Sequence, residues 1–141
     1  MSLAPRTGTL VERYLFSPLY TPTSRWAVLR WWERRRPLYN ILVGTAGLVT
    51  IATGVGLGLL GPDPGLHRGP PLALVAAYAL AANLFYSLGA PLDLLLRRWL
   101  KDDAGPVAQA LFRYGLAFSV GLTLLPIPMI LLGTIISILN R

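Results

Sequence analysis

Three stretches of this chain, residues 37–62, 69–92 and 114–140, contain no charged side chain. Each exceeds the roughly 20 apolar residues that a helix needs to cross a hydrocarbon layer about 30 Å thick. The expected fold is therefore an all-α integral membrane protein with three transmembrane helices over about 38–61, 71–96 and 114–139. Composition agrees: of 141 residues, 54% are hydrophobic and 13% charged, where soluble domains carry about a quarter charged residues. Residues 1–36 read as a cytoplasmic arm with an interfacial helix, and 37–141 as the membrane domain. There is no cysteine, which excludes disulfides, thiolate metal sites and thiol nucleophiles. The arginine-rich, proline-broken start does not resemble a secretory signal, so the N-terminus is expected to be retained.

The location of the charge says more than the net +7. Seven arginines precede the first span, and Arg97, Arg98, Lys101 and Arg113 lie between the second and third. Arg68 and Arg141 are the only basic residues of the other two segments. Eleven against two places the N-terminus and second loop in the cytoplasm and the first loop and C-terminus across the membrane. Trp26, Trp31, Trp32 and Trp99 fall on the same predicted side, where an interfacial anchor belt belongs.

Thr23 or Ser24 can cap a helix. Along 26–34 a 100° step puts Val28, Leu29, Trp31 and Trp32 on one arc and Arg30, Glu33 and Arg34 on the other. This predicts a short amphipathic helix in the headgroup layer, followed by Arg34, Arg35 and Arg36 as a basic stop against lipid phosphates and by Pro37 at the start of span one. In span one Ala46, Thr50, Gly54 and Gly58 recur every fourth residue, and in span two Ala73, Ala77 and Ala81 do the same. Such stripes let helix backbones approach closely, either between the first two spans or against foreign helices. Residues 106–140 would measure about 52 Å as one helix. They are read as a lead-in capped by Asp102 or Asp103 and a crossing kinked at Pro126 and Pro128, whose lost hydrogen bonds require donors from neighbouring helices or waters. A fourth segment turning at those prolines would leave about 12 residues for the return, which is short.

Few residues invite chemistry. Gly54-Val55-Gly56-Leu57-Gly58 has the look of a phosphate loop, but inside a charge-free run it serves helix packing. His67, the sole histidine, reads as a loop residue, with ligation of an interfacial pigment or metal as the alternative. Asn83, Tyr86 and Ser87 offer hydrogen bonds to a neighbouring helix, or to a quinone, a pigment keto group or lipid. Asp93 and Arg97, four apart, predict an interfacial ion pair. No hydrolytic triad, zinc-ligand pair or multi-carboxylate motif is present, and no charged residue sits mid-span, so neither an enzyme nor a proton-coupled carrier is expected.

The segment Arg30-Trp31-Trp32-Glu33-Arg34-Arg35-Arg36-Pro37-Leu38-Tyr39-Asn40, running straight into a glycine-rich span, resembles the juxtamembrane start of small, functionally unassigned bacterial membrane proteins. The overall build is similar to extra subunits of bacterial reaction-centre and light-harvesting complexes. That resemblance implies a photosynthetic membrane with bacteriochlorophyll or carotenoid nearby. The expected function is a non-catalytic accessory subunit of a photosynthetic or respiratory complex. Its partners are other integral membrane subunits and anionic lipid, and it has no cofactor of its own. The competing expectation is a homo-oligomeric channel or carrier for neutral or lipophilic solutes built around Asn83, Ser87 and the Pro126–Pro128 kink. A lipid-modifying enzyme using Asp102, Asp103 and His67 is the remaining one.

Overall fold

The computed structural model describes residues 24–60, 69–100 and 107–139. The arm up to Thr23, His67, Asp102, Asp103 and Pro106 lie outside the described residues. Among the described residues there is no strand, and five helices follow one another: α1 (Arg25–Leu60), α2 (Leu72–Ser87), α3 (Gly89–Leu100), α4 (Val107–Leu124) and α5 (Pro126–Leu139). They form three spans, Arg25–Leu59, Leu72–Leu100 and Val107–Leu139, each long and apolar enough to cross a membrane. The spans run up, down and up. This gathers the start of α1, the end of α3 and the start of α4 at one basic end.

Ser24 caps α1. Its Oγ accepts the Trp26 N–H at 3.2 Å and its carbonyl accepts the Ala27 N–H at 3.0 Å, satisfying donors that a helix start leaves unpaired. The boundary expected at Pro37, between an interfacial helix and span one, is not there: α1 is a single helix of 36 residues with Pro37 inside it. Pro37 cannot donate to the Glu33 carbonyl, a defect worth about 3 kcal/mol in a helix interior. Tertiary contacts in the preceding turn outweigh it. Tyr86 Oη donates to the Trp32 carbonyl at 2.6 Å, and Arg36 Nη2 donates to Glu33 Oε1 at 2.8 Å and to Ser87 Oγ at 3.0 Å.

α2 and α3 are nearly one helix. Pro91 has no N–H for the Ser87 carbonyl, and the chain answers with a turn at Leu88, whose N–H is shared between Leu84 and Phe85. The third span is divided in the same manner at Leu125, ahead of Pro126 and Pro128. These prolines leave the Leu122 and Leu124 carbonyls without their helical donors, and between them the Thr123 carbonyl accepts Thr50 Oγ1 from α1 at 2.7 Å. Thr45, Thr53 and Thr134 bond the carbonyl four residues earlier, at 2.7, 2.8 and 2.9 Å. Hydroxyls in apolar helices fold back in this way when no neighbour accepts them.

α1 is the centre of the bundle and touches all four other helices. Its small-residue stripe faces the third span: Ala46, Gly54 and Gly58 are buried, and a Cβ on Gly54 would lie 3.5 Å from Ile130 Cδ1. The stripe of α2 is left uncovered by the described residues: Ala73, Ala77 and Ala81 are all exposed. Packing is uneven along the bundle. The buried apolar cluster of Val28, Trp31, Trp32, Tyr39, Val43, Tyr86, Ala90, Ala108 and Phe112 lies at and next to the basic end.

Candidate functional site

Two regions gather side chains from all three spans. The first is an aromatic and charged lock at the basic end. Tyr86, Gly89, Asp93 and Arg97 recur at spacings of three and four, so they share one face of span two. That face meets Trp32, which is 4% exposed. The indole packs directly against Gly89, where an added Cβ would overlap its ring carbons. Its Nε1 donates to Asp93 Oδ2 at 3.3 Å, while Arg97 Nε donates to Asp93 Oδ1 at 2.8 Å. Asp93 has no exposed surface. A carboxylate so enclosed is tolerated only when paired and hydrogen-bonded, and here both oxygens are.

Aromatic edges close the lock. Trp31 and Trp32 meet at 5.5 Å, Trp31 and Phe112 at 6.1 Å, and Trp32 and Tyr86 at 5.6 Å, all edge to face, the geometry that ring quadrupoles favour. Tyr39 stacks obliquely on Tyr86 at 4.5 Å and places its Oη 2.9 Å from Ser119 Oγ and 3.3 Å from the Ala82 carbonyl. Arg35, expected among lipid phosphates, is 4% exposed, with its guanidinium 3.8 Å above the Trp31 ring and Nη1 donating to the Trp31 carbonyl. The planar, weakly hydrated guanidinium suits such a place better than an ammonium would.

The second region is a cleft of about 530 Å³ at the opposite half of the bundle. Gly47, Thr50 and Gly54 of α1 provide its floor, Leu74 and Tyr78 of α2 one wall, and Thr123, Pro126 and Ile130 the other. The space exists because glycines face the proline-broken turn. Its polar atoms are spent on each other: Tyr78 Oη and Thr123 Oγ1 share a hydrogen bond, Thr50 serves the Thr123 carbonyl, and Thr123 Oγ1 donates to the Ser119 carbonyl at 2.6 Å. What the cleft presents is hydrocarbon.

No family model, curated protein or solved structure matches this chain. Its chemistry has to be read from these two regions. Among the described residues no group of three or more His, Cys, Asp or Glu side chains converges on a point where a metal would sit.

Of the residues expected to anchor the chain at a membrane surface, Trp26 and Trp99 are 76% and 73% exposed. Arg34 is exposed and Arg36 half-buried, whereas Trp31, Trp32 and Arg35 point into protein. Of the residues offered to a pigment or lipid, Tyr86 spends its hydroxyl on Trp32 and Ser87 donates to the Asn83 carbonyl at 2.8 Å while accepting Arg36. Asn83 turns an amide N–H back to the Ala79 carbonyl at 3.0 Å. None of the three lines the cleft at Pro126, so the groups expected together in a solute path are not brought together. The expected Asp93–Arg97 ion pair is present, with Asp93 enclosed and the Arg97 side chain 15% exposed. Sequence reasoning missed Gly89 as the seat of Trp32, Phe112 as its third-span neighbour, and Tyr78 with Thr123 in the cleft. The one available signal was the bulky Trp32 on span one paired with a lone glycine on the tyrosine-bearing face of span two.

Proposed function

We propose that this chain is a non-catalytic accessory subunit of a larger bacterial membrane complex, photosynthetic or respiratory, in which it contributes helix packing and a basic, aromatic cytoplasmic end. The observation that carries this reading is the uncovered stripe of Ala73, Ala77 and Ala81. In lipid there is little hydrophobic drive between helices, and small-residue faces are where close van der Waals association is won. Span one uses its stripe within the chain. Span two has one to spare, and a transmembrane helix of another subunit fits it. Apart from Arg36 Nε and Arg97 Nη2, the buried side-chain donors and acceptors of the two regions are hydrogen-bonded, which supports a scaffold over an enzyme.

The test is extraction in mild detergent followed by native electrophoresis with absorbance scanning. Co-migration with other membrane subunits, and with their pigment or haem absorbance, is expected. Migration as a free 15.4 kDa chain with its detergent would overturn the proposal. A self-assembled oligomer that carries flux in liposomes would favour the channel reading instead.

A further inference from the structure

A second cleft, of about 470 Å³, opens at the basic end between the start of α1 and the end of α3. Its lining is divided by chemistry. Arg25, Arg97 and Arg98 supply three guanidinium groups, and Val28, Pro91 and Leu94 supply an apolar wall. Arg97 is the informative member. Its side chain is 15% exposed and Nε is committed to Asp93, yet Nη2 is buried with no hydrogen-bond partner. A buried guanidinium N–H without an acceptor is costly, and Asp93 offsets the charge of Arg97 only in part, so the rim of the cleft, where the rest of this guanidinium is exposed, keeps a positive excess. The first turn of α1, which reaches the cleft through Ser24 and Arg25, contains no acidic residue to offset it. Trp26 and Trp99, adjacent in sequence to Arg25 and Arg98 and both exposed, mark this level as the place where hydrocarbon gives way to headgroups.

We infer that the cleft binds one anionic phospholipid, its phosphate held by Arg25, Arg97 and Arg98 and the upper part of an acyl chain lying along Val28, Pro91 and Leu94. The charge balance selects the ligand. Among the described residues at the cleft the one carboxylate, Asp93, lies behind three guanidiniums and is already engaged by Arg97, which leaves an excess positive site for a phosphate diester and no free acceptor among them for a choline ammonium. The apolar wall distinguishes a lipid from free phosphate. This inference rests on the membrane placement of the three spans, and it adds a defined lipid site to the general attraction of basic residues for anionic membranes.

The experiment is native mass spectrometry of the full-length protein in detergent, titrated with dioleoyl phosphatidylglycerol or dioleoyl phosphatidylcholine. Arg25→Gln and Arg98→Gln are the variants of choice, because both positions are exposed and neither residue holds Asp93. Retention of a single phosphatidylglycerol is expected, weakened about fivefold by each substitution and about twentyfold by both, with Arg30→Gln, which does not line the cleft, as the unchanged control. Equal binding of phosphatidylcholine, or equal losses in Arg30→Gln, would overturn the proposal in favour of diffuse attraction. Displacement by millimolar inorganic phosphate would show a free-phosphate site, and variants that lose co-migrating subunits but keep the lipid would show an acidic protein segment in the cleft; both also overturn it. Carbonate extraction separates the two levels. A chain released from membranes defeats the membrane reading itself, whereas a chain that stays while its lipid binding ignores Arg25 and Arg98 defeats only the lipid site.

Discussion

At the scale of single residues, the structure assigns unequal weight to glycines that look alike in sequence. Gly44, Gly115 and Gly121 have open space where a Cβ would go, whereas at Gly89 the Trp32 ring occupies it. The ring cannot swing aside, since it is boxed by Trp31, Tyr86 and Phe112 and tied to Asp93. Gly89→Ala should therefore destabilise the bundle by about 1–3 kcal/mol, as overpacking does. Gly115→Ala should be neutral or slightly stabilising through helix propensity. Denaturant titration in detergent, followed by tryptophan emission, distinguishes the two. Asp93 is the other decisive residue. Asp93→Ala strands Arg97 and the Trp32 indole N–H together, at an expected cost of about 3–5 kcal/mol. Asp93→Leu combined with Arg97→Leu should cost less than the sum of the single changes, because no buried charge is left unpaired. A double-mutant cycle in the same titration reads the coupling directly.

At the scale of helices, prolines recur where a neighbour's hydroxyl is at hand. The turn before Pro37 receives Tyr86, and the turn before Pro126 and Pro128 receives Thr50. Thr50→Val should lower stability by about 1 kcal/mol, the worth of one interhelical hydrogen bond in an apolar setting, while Thr53→Val, whose hydroxyl only folds back on its own helix, should lower it by much less. Thermal unfolding of both variants in one detergent tests the difference. These elements also show what a linear pattern can and cannot reveal. Charge-free length announced three spans, and the 100° periodicity of residues 26–34 separated buried Val28, Trp31 and Trp32 from exposed Arg30, Glu33 and Arg34, while Leu29, placed on the same apolar arc, is exposed. Periodicity identifies an apolar face without saying whether lipid or protein covers it. The face expected against headgroups is instead covered by Phe112 and Tyr86, which lie 80 and 54 residues downstream of Trp32. The same holds for the small-residue stripe of span one, whose spacing was legible but whose partner, the third span, was not. Proline at position 37 reads locally as a boundary, yet the helix continues through it, with the turn before it held by Tyr86 and Ser87 of the second span.

At the scale of the whole molecule, the bundle is sealed at one end by interlocked rings and left with an apolar cleft toward the other, while span two carries an unused packing face. If that face docks a foreign helix, Ala77→Leu should abolish co-migration with partner subunits and leave the unfolding transition of the isolated chain unchanged, because Ala77 is exposed and touches no buried group. Native electrophoresis beside a denaturant titration reads both quantities. A loss of intrinsic stability in that variant would mean that the stripe serves this chain and not a neighbour.

The seal at the basic end also sets the order in which the molecule can be completed during synthesis. Trp32 needs Gly89 and Asp93 from the second span to be seated, and Phe112 from the third to be enclosed. A nascent chain that stops after Leu100 would hold both neighbouring indoles half-wrapped.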